Sequence, residues 1–232
     1  MTRRTSLVSG DVLAEPLEPD GASEALATAL HPLGVVAAGE IGLWAAGPGT
    51  DTDVEVDEVF VVLAGTGTVT IHDDTGDGTE VALSPGAVVR LAEGDRTTWH
   101  LAERLLKLYV TAEGATAPTG DRLLAADVTT VALTGESRPG IWVEGGWPTA
   151  TTELLADLGG VRIAAWEVTT GVVADLEHDE YLLVLSGAGT LRLEGGPAVR
   201  LAPHALVRLG EGERTEWTVT ETLRALVVTV VG

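Results

Sequence analysis

The residues best suited to chemistry occur as two matched sets. Glu58, Thr97 and Trp99 form one, and Glu180, Thr215 and Trp217 form the other. A fixed carboxylate can bind a ligand or move a proton. Thr97 and Trp99 are two residues apart, as are Thr215 and Trp217, so on a β-strand each pair shares one face. The threonines can bond a ligand or stand as ordinary β-branched strand residues. The indoles can wall a binding cavity, or fill a core, because an indole buries a large apolar area. Trp44 and Trp166 suit packing.

Other candidate chemistries fail on residue type or spacing. Asp175, His178 and Glu180 make at best a poor three-ligand metal site, and a solvent-facing turn histidine is the simpler reading of His178. His100 follows Trp99 and so faces the opposite way. The run Asp51-x-Asp53-x-Glu55-x-Asp57-Glu58 resembles a calcium loop, but Val56 stands where that loop needs glycine. Gly65-x-Gly67 leads into another strand, Thr68 to Ile71, and not into a phosphate-binding helix. No serine and histidine pair at a motif for nucleophilic catalysis. With no cysteine at all, disulfides, thiolate metal sites and a thiol nucleophile are excluded.

The elements that must position these residues are repeated. EVFVVLAGTGTVTI at 58–71 is matched by EYLLVLSGAGTLRL at 180–193, an offset of 122 residues. VVRLAEGDRTTW at 88–99 is matched by LVRLGEGERTEW at 206–217, an offset of 118, with eight of twelve positions identical. The difference lies in a longer hairpin loop in the first copy, His72 to Glu80, than in the second, Glu194 to Pro197. Trp44 matches Trp166, Asp53 matches Asp175 and Glu55 matches Glu177. Short runs rich in Val, Leu and Ile, such as VFVVL, LLKLYV and LRALVVTVV, are separated by turn formers and predict strands of a sandwich or barrel. Two short helices are also predicted. One spans about 22–30 with Ser23 as its cap, and one spans about 153–158 between Thr152 and Gly159. AEGATAPTGDRLL at 112–124 reads as a linker, giving one barrel over 1–115 and a second over 116–232.

Composition narrows the partners. Fourteen basic residues against 35 acidic ones leave a formal charge of −21. Such a polyanion suits neither nucleic acid nor an anionic membrane surface. No apolar run approaches the roughly 18 residues of a membrane span, and Met1 to Gly10 lacks the apolar stretch of a secretory signal. A cytoplasmic address is expected. Self-association into a homo-oligomer is compatible with the sequence but is not specified by it.

The spacing Glu58 to Gly65, repeated as Glu180 to Gly187, resembles the end of the first cupin motif. The stretch from Pro85-Gly86 through Gly94 to Thr97 resembles the second. The paired early and late tryptophans resemble the cupin subgroup that includes ureidoglycine aminohydrolase and the ethanolamine-utilisation cupins. The resemblance implies an all-β chain of two double-stranded β-helix (jelly-roll) barrels, with Glu58 and Glu180 pointing inward. There they could bind a ligand, act as acid or base, or simply accept hydrogen bonds from Thr97 and Thr215. Metal-binding cupins place histidines before this Glu and in the second motif, and imidazole with carboxylate suits a divalent transition metal. Here those slots hold Asp51 and Asp53, or Thr52 and Val54; then Val173 and Asp175, or Ala174 and Leu176; and Thr97 and Thr215. No cofactor is therefore expected. A bicupin that binds a small polar molecule without metal, or has no catalytic activity, is the preferred expectation. The alternative is a metal-dependent, aminohydrolase-like enzyme acting on a small nitrogenous or carboxylated metabolite. A third reading is a scaffold whose barrels serve assembly only.

Overall fold

A computed structural model describes residues 6–73, 78–115, 121–135, 138–139, 141–142, 148–194 and 196–231. The chain divides into two compact units, one of 15–128 with 156–159, the other of 1–14, 129–155 and 160–232.

Alternating apolar residues and glycine-marked turns produce an all-β fold in both. Among the described residues, the first unit holds a seven-stranded and a four-stranded sheet. In the larger sheet, Leu105–Thr111 lies between Gly39–Ala46 and Glu58–Ala64. In the smaller, Arg96–Leu101 lies between Gly49–Val54 and Gly67–His72. Inward residues of both sheets, among them Phe60, Val69, Leu91 and Trp99, form the core. The second unit repeats this register with longer strands. Glu180–Leu193 and Arg214–Val230 run through both layers and turn the corner at bulges between Val184 and Gly189. Bulges bend a strand while keeping its pairing on either side. Its core includes Leu182, Leu191, Val207 and Trp217.

Each barrel would leave an unpaired strand edge, which is a template for unwanted association. Leu123–Ala125, in the segment expected to be a linker, pairs with Val88–Leu91. Ser6–Ser9 pairs with the corresponding strand of the second repeat, Leu206–Leu209. The remainder of the linker at 116–120, the hairpin tip at 74–77, Gly195 and the first five residues lie outside the described residues.

The two predicted helices are corrected. Ser23 does cap, its Oγ accepting the Leu26 amide at 3.0 Å, but only a turn follows. Ala29 already pairs with Ala45, and the sheet takes the chain from there. Residues 153–158 fall largely within the strand Thr149–Asp157. Gly159 and Gly160, at φ of +63° and +104°, turn the chain into the neighbouring strand Val161–Val168. That left-handed backbone, which glycine adopts at no steric cost, makes a hairpin turn here and not a helix stop. The described helical structure is one short 3-10 turn, Val12–Ala14.

Buried arginines brace the approach to each inward Glu. Arg90 pairs with Asp57 at 2.8 Å and reaches the backbone carbonyls of Glu58 and Leu91. Arg208 pairs with Asp179 and reaches the carbonyls of Glu180 and Leu209. The same three-part brace in both repeats fixes where the Glu enters the barrel.

Candidate functional site

In the first barrel, strand register aligns Lys107 with Trp44 on one side and Val62 on the other. Tyr109 follows two residues later, so both side chains turn inward. Lys107 is the chain's single lysine and is 4% exposed. Its Nζ donates to the Glu58 carboxylate. It lies 4.4 Å from the centroid of Phe60, 4.7 Å from Trp44 and 5.0 Å from Trp99. A buried ammonium is costly unless it is paired. Here a carboxylate supplies the charge and three ring faces supply cation–π attraction.

The carboxylate beneath Trp99 is Glu55. Its Oε1 accepts the Thr97 hydroxyl at 2.6 Å and the Trp99 indole N–H at 2.9 Å. Burial raises the Glu55 carboxyl above its ordinary value, while nearby Lys107 and the Thr97 bond oppose the rise. Tyr109 donates to Glu40. Its ring passes over Gly42, where a Cβ would fall 2.6 Å from the ring's Cζ. What remains of the cavity is about 240 Å³.

The second barrel keeps the frame and loses the filling. Ala225 pairs with Trp166 and Val184, so it occupies the place of Lys107. Leu182 pairs with Val227 as Phe60 pairs with Tyr109. Glu177 Oε1 accepts the Thr215 hydroxyl and, at 2.9 Å, the Trp217 indole N–H. Trp166 and Trp217 lie 5.8 Å apart, tilted by 55°, close to the 5.5 Å and 48° of Trp44 and Trp99. Glu180 accepts the Thr229 hydroxyl at 3.0 Å. A cavity of about 270 Å³ opens between these groups, with Asp175 and His178 at its lining. No lysine or arginine is among the described residues that line it.

Two carboxyls therefore face a partly apolar cavity with no lysine or arginine in its described lining. Burial pushes Glu180 up to about 7, and the neighbouring Glu177 carboxylate adds to the shift. Burial raises Glu177 as well, against its bonds to Thr215 and Trp217. A carboxyl with a raised folded value stays protonated where the unfolded chain has released its proton. Its stabilising contribution is complete below about 4.5, the ordinary value, and is lost as pH climbs through about 7. Glu177, Asp175 and His178 face it, so comparison with Glu180→Gln is what isolates the Glu180 contribution. Wild-type stability is expected to fall more steeply between pH 5 and 7 than that of Glu180→Gln. The difference is bounded at ~1.4 kcal/mol per pH unit for one proton. Urea unfolding of both proteins across that range checks it.

The sites read from sequence are distributed as follows. Glu58 and Trp99 line the first cavity, and Glu180 and Trp217 the second. Thr97 and Thr215 are buried and bonded to Glu55 and Glu177, so the reading in which Glu58 and Glu180 accept from them is not the one found. The reason is topological. Thr97 pairs with Asp53 in the smaller sheet, and Glu55 lies just past that strand's end. Glu58 already belongs to the other sheet. The acidic run 51–58 splits among separate partners: Ser23 for Asp51, Thr97 and Trp99 for Glu55, Arg90 for Asp57 and Lys107 for Glu58. Asp175, His178 and Glu180 share one cavity, yet no three His, Asp or Glu side chains among the described residues converge as a metal ion needs. With the usual imidazole slots empty of histidine, this donor set does not fit a transition metal. His100 bonds Thr50 and His72 bonds Thr98, both away from the cavities.

Comparison with known proteins places this geometry. A profile of the EutQ-like cupin domain matches residues 33–109 and again 155–225. No curated protein matches the sequence. A protein of unknown function of the DUF861 family from Pseudomonas syringae pv. tomato superposes with a TM-score of 0.67 at 17% identity, covering 98% of this chain and 99% of that one. A cupin 2 conserved barrel domain protein from Leptotrichia buccalis gives 0.64 at 12% identity, covering 99% and 97%. A point variant of Bacillus subtilis oxalate decarboxylase gives 0.56 at 11% identity, covering 100% and 78%. At these identities the likeness is one of fold. No helix among the described residues is long and apolar enough to cross a membrane.

Proposed function

The chain belongs to the EutQ-like cupin family, and from that premise we propose that it binds a small polar molecule, without a metal, in the cavity of its second barrel. The observation that carries this is the pair Glu177 and Glu180 facing a 270 Å³ cavity under two indoles. Small-molecule sites are concave, largely apolar and fitted with a few placed polar groups. This cavity is near the small end of the usual range of roughly 300–1,000 Å³, which suits a metabolite of few atoms. A strongly perturbed carboxyl inside a cavity is a further mark of a functional site. In the first barrel the chain's own lysine takes the matching place. An aminohydrolase-like reaction through a metal finds no support in the donor set.

The test is a thermal-shift screen of chelator-treated protein against small polar amines, alcohols and acids. At least one class is expected to raise the melting temperature of the wild type and to lose most of that effect in Glu180→Gln. If stabilisation returns only when a divalent transition metal is restored, the metal-free reading is wrong.

A further inference from the structure

We infer that the second cavity takes the primary ammonium group of a small aliphatic amine, seated against Glu180 and the indoles of Trp166 and Trp217. The inference rests on the proposed receptor role of this barrel and narrows it to one class of ligand.

The first barrel shows what the shared frame holds. Lys107 is an alkylammonium tethered to its own strand, bonded to Glu58 and set over Trp44, Phe60 and Trp99. Register places Ala225 where Lys107 stands, flanked by Trp166 and Val184 as Lys107 is flanked by Trp44 and Val62. The Glu and both tryptophans are kept, while the lysine is cut back to a methyl group. Leu182 and Val227 stand for Phe60 and Tyr109, which widens the space and makes its wall more aliphatic. The second barrel thus retains the receptor for an ammonium and lacks the ammonium.

Chemistry selects within the cations. Glu177, Glu180 and Asp175 outnumber the one basic side chain of the described lining, His178, and so disfavour an anionic ligand through like-charge repulsion and desolvation. A quaternary ammonium can lie over the rings but has no N–H to give Glu180. A divalent metal needs more converging donors than are present here. A primary ammonium satisfies both demands, as Lys107 does, and its alkyl tail runs beside Leu182 and Val227, which line the cavity.

The probe is n-propylammonium, which reproduces the lysine side chain from Cγ to Nζ. It is titrated into the chelator-treated full chain at constant ionic strength. Isosteric n-propanol and propionate are the controls, and tryptophan emission and calorimetry are the readouts. Saturable binding of n-propylammonium is expected, at least tenfold tighter than of either control. Ala225→Lys should abolish it by installing the tethered ammonium, and Glu180→Gln should weaken it at least tenfold. Equal binding of n-propanol, or binding unchanged in a folded Ala225→Lys or Glu180→Gln protein, overturns the inference. If propionate or another non-amine saturates the cavity and Glu180→Gln removes it, the ammonium assignment falls and the receptor reading stands. If neither amines nor any other compound class registers, both fall.

Discussion

Lys107→Ala is expected to cost about 3–5 kcal/mol of stability, the loss seen when one partner of a buried ion pair is removed. The pair is Lys107 with Glu58, whose side chains are 5% and 10% exposed. Removing the ammonium leaves the Glu58 charge buried and takes from Glu55 the cation that opposes its shift. It also empties a space walled by three aromatic rings. Against the ~5–15 kcal/mol that holds a typical domain together, this is enough to threaten folding of the first barrel. Lys107→Met with Glu58→Leu is expected to recover most of the loss, since removing both charges removes the desolvation penalty. Urea midpoints of the single and double variants check this, read at constant slope so that stability and denatured-state effects separate. A single variant within ~1 kcal/mol of wild type would mean that Lys107 leaves the cavity for solvent, where ion pairs contribute little.

Much of this arrangement is legible in the sequence, but not the part that matters most. The repeat is visible because 88–99 and 206–217 keep the same residues wherever turn geometry and inward packing require them. Strand alternation places Thr97 with Trp99 and Thr215 with Trp217 on one face, as found. Which carboxylate they bond is not legible, because alternation says nothing about which sheet the next strand joins. The chain changes sheets between Val54 and Glu58, so Glu55 and Glu58 serve different partners three residues apart. In the pattern LLKLYV, Lys107 reads only as part of a strand. The signal was present: the single lysine of the chain sits inside an apolar strand, where a charge has no place without a buried partner. The helix expected over 153–158 failed because a glycine after an apolar run can end a helix or turn a hairpin, and only pairing with Val161–Val168 decides between them.

Trp217→Ala is the second large expected effect, about 3–5 kcal/mol for truncating a buried aromatic side chain. The indole is 4% exposed. It packs against Trp166 and donates to Glu177 at 2.9 Å. Its loss opens the core and leaves Glu177 with Thr215 as its side-chain donor. Trp217→Phe removes the N–H with a smaller packing loss, so its cost is the hydrogen bond at ~1–3 kcal/mol together with the space left by the lost ring atoms. Both variants are expected to weaken binding in the second cavity, since Trp217 and Glu177 line it together. Calorimetric melting of the two variants, with and without n-propylammonium, separates the packing loss from the binding loss. Trp217→Phe melting with wild type would show that water supplies the missing donor to Glu177.

The two barrels thus share one carboxylate-and-indole frame, which holds a tethered lysine ammonium in the first and no lysine in the second. The most direct measurement is a crystal structure of the chelator-treated protein grown with n-propylammonium. Difference density is expected in the second barrel alone, between Glu180 and the faces of Trp166 and Trp217, with the Lys107 ammonium on Glu58 in the first. A metal ion on Glu58 or Glu180, or an amine bound elsewhere while the second cavity holds only water, would contradict the account.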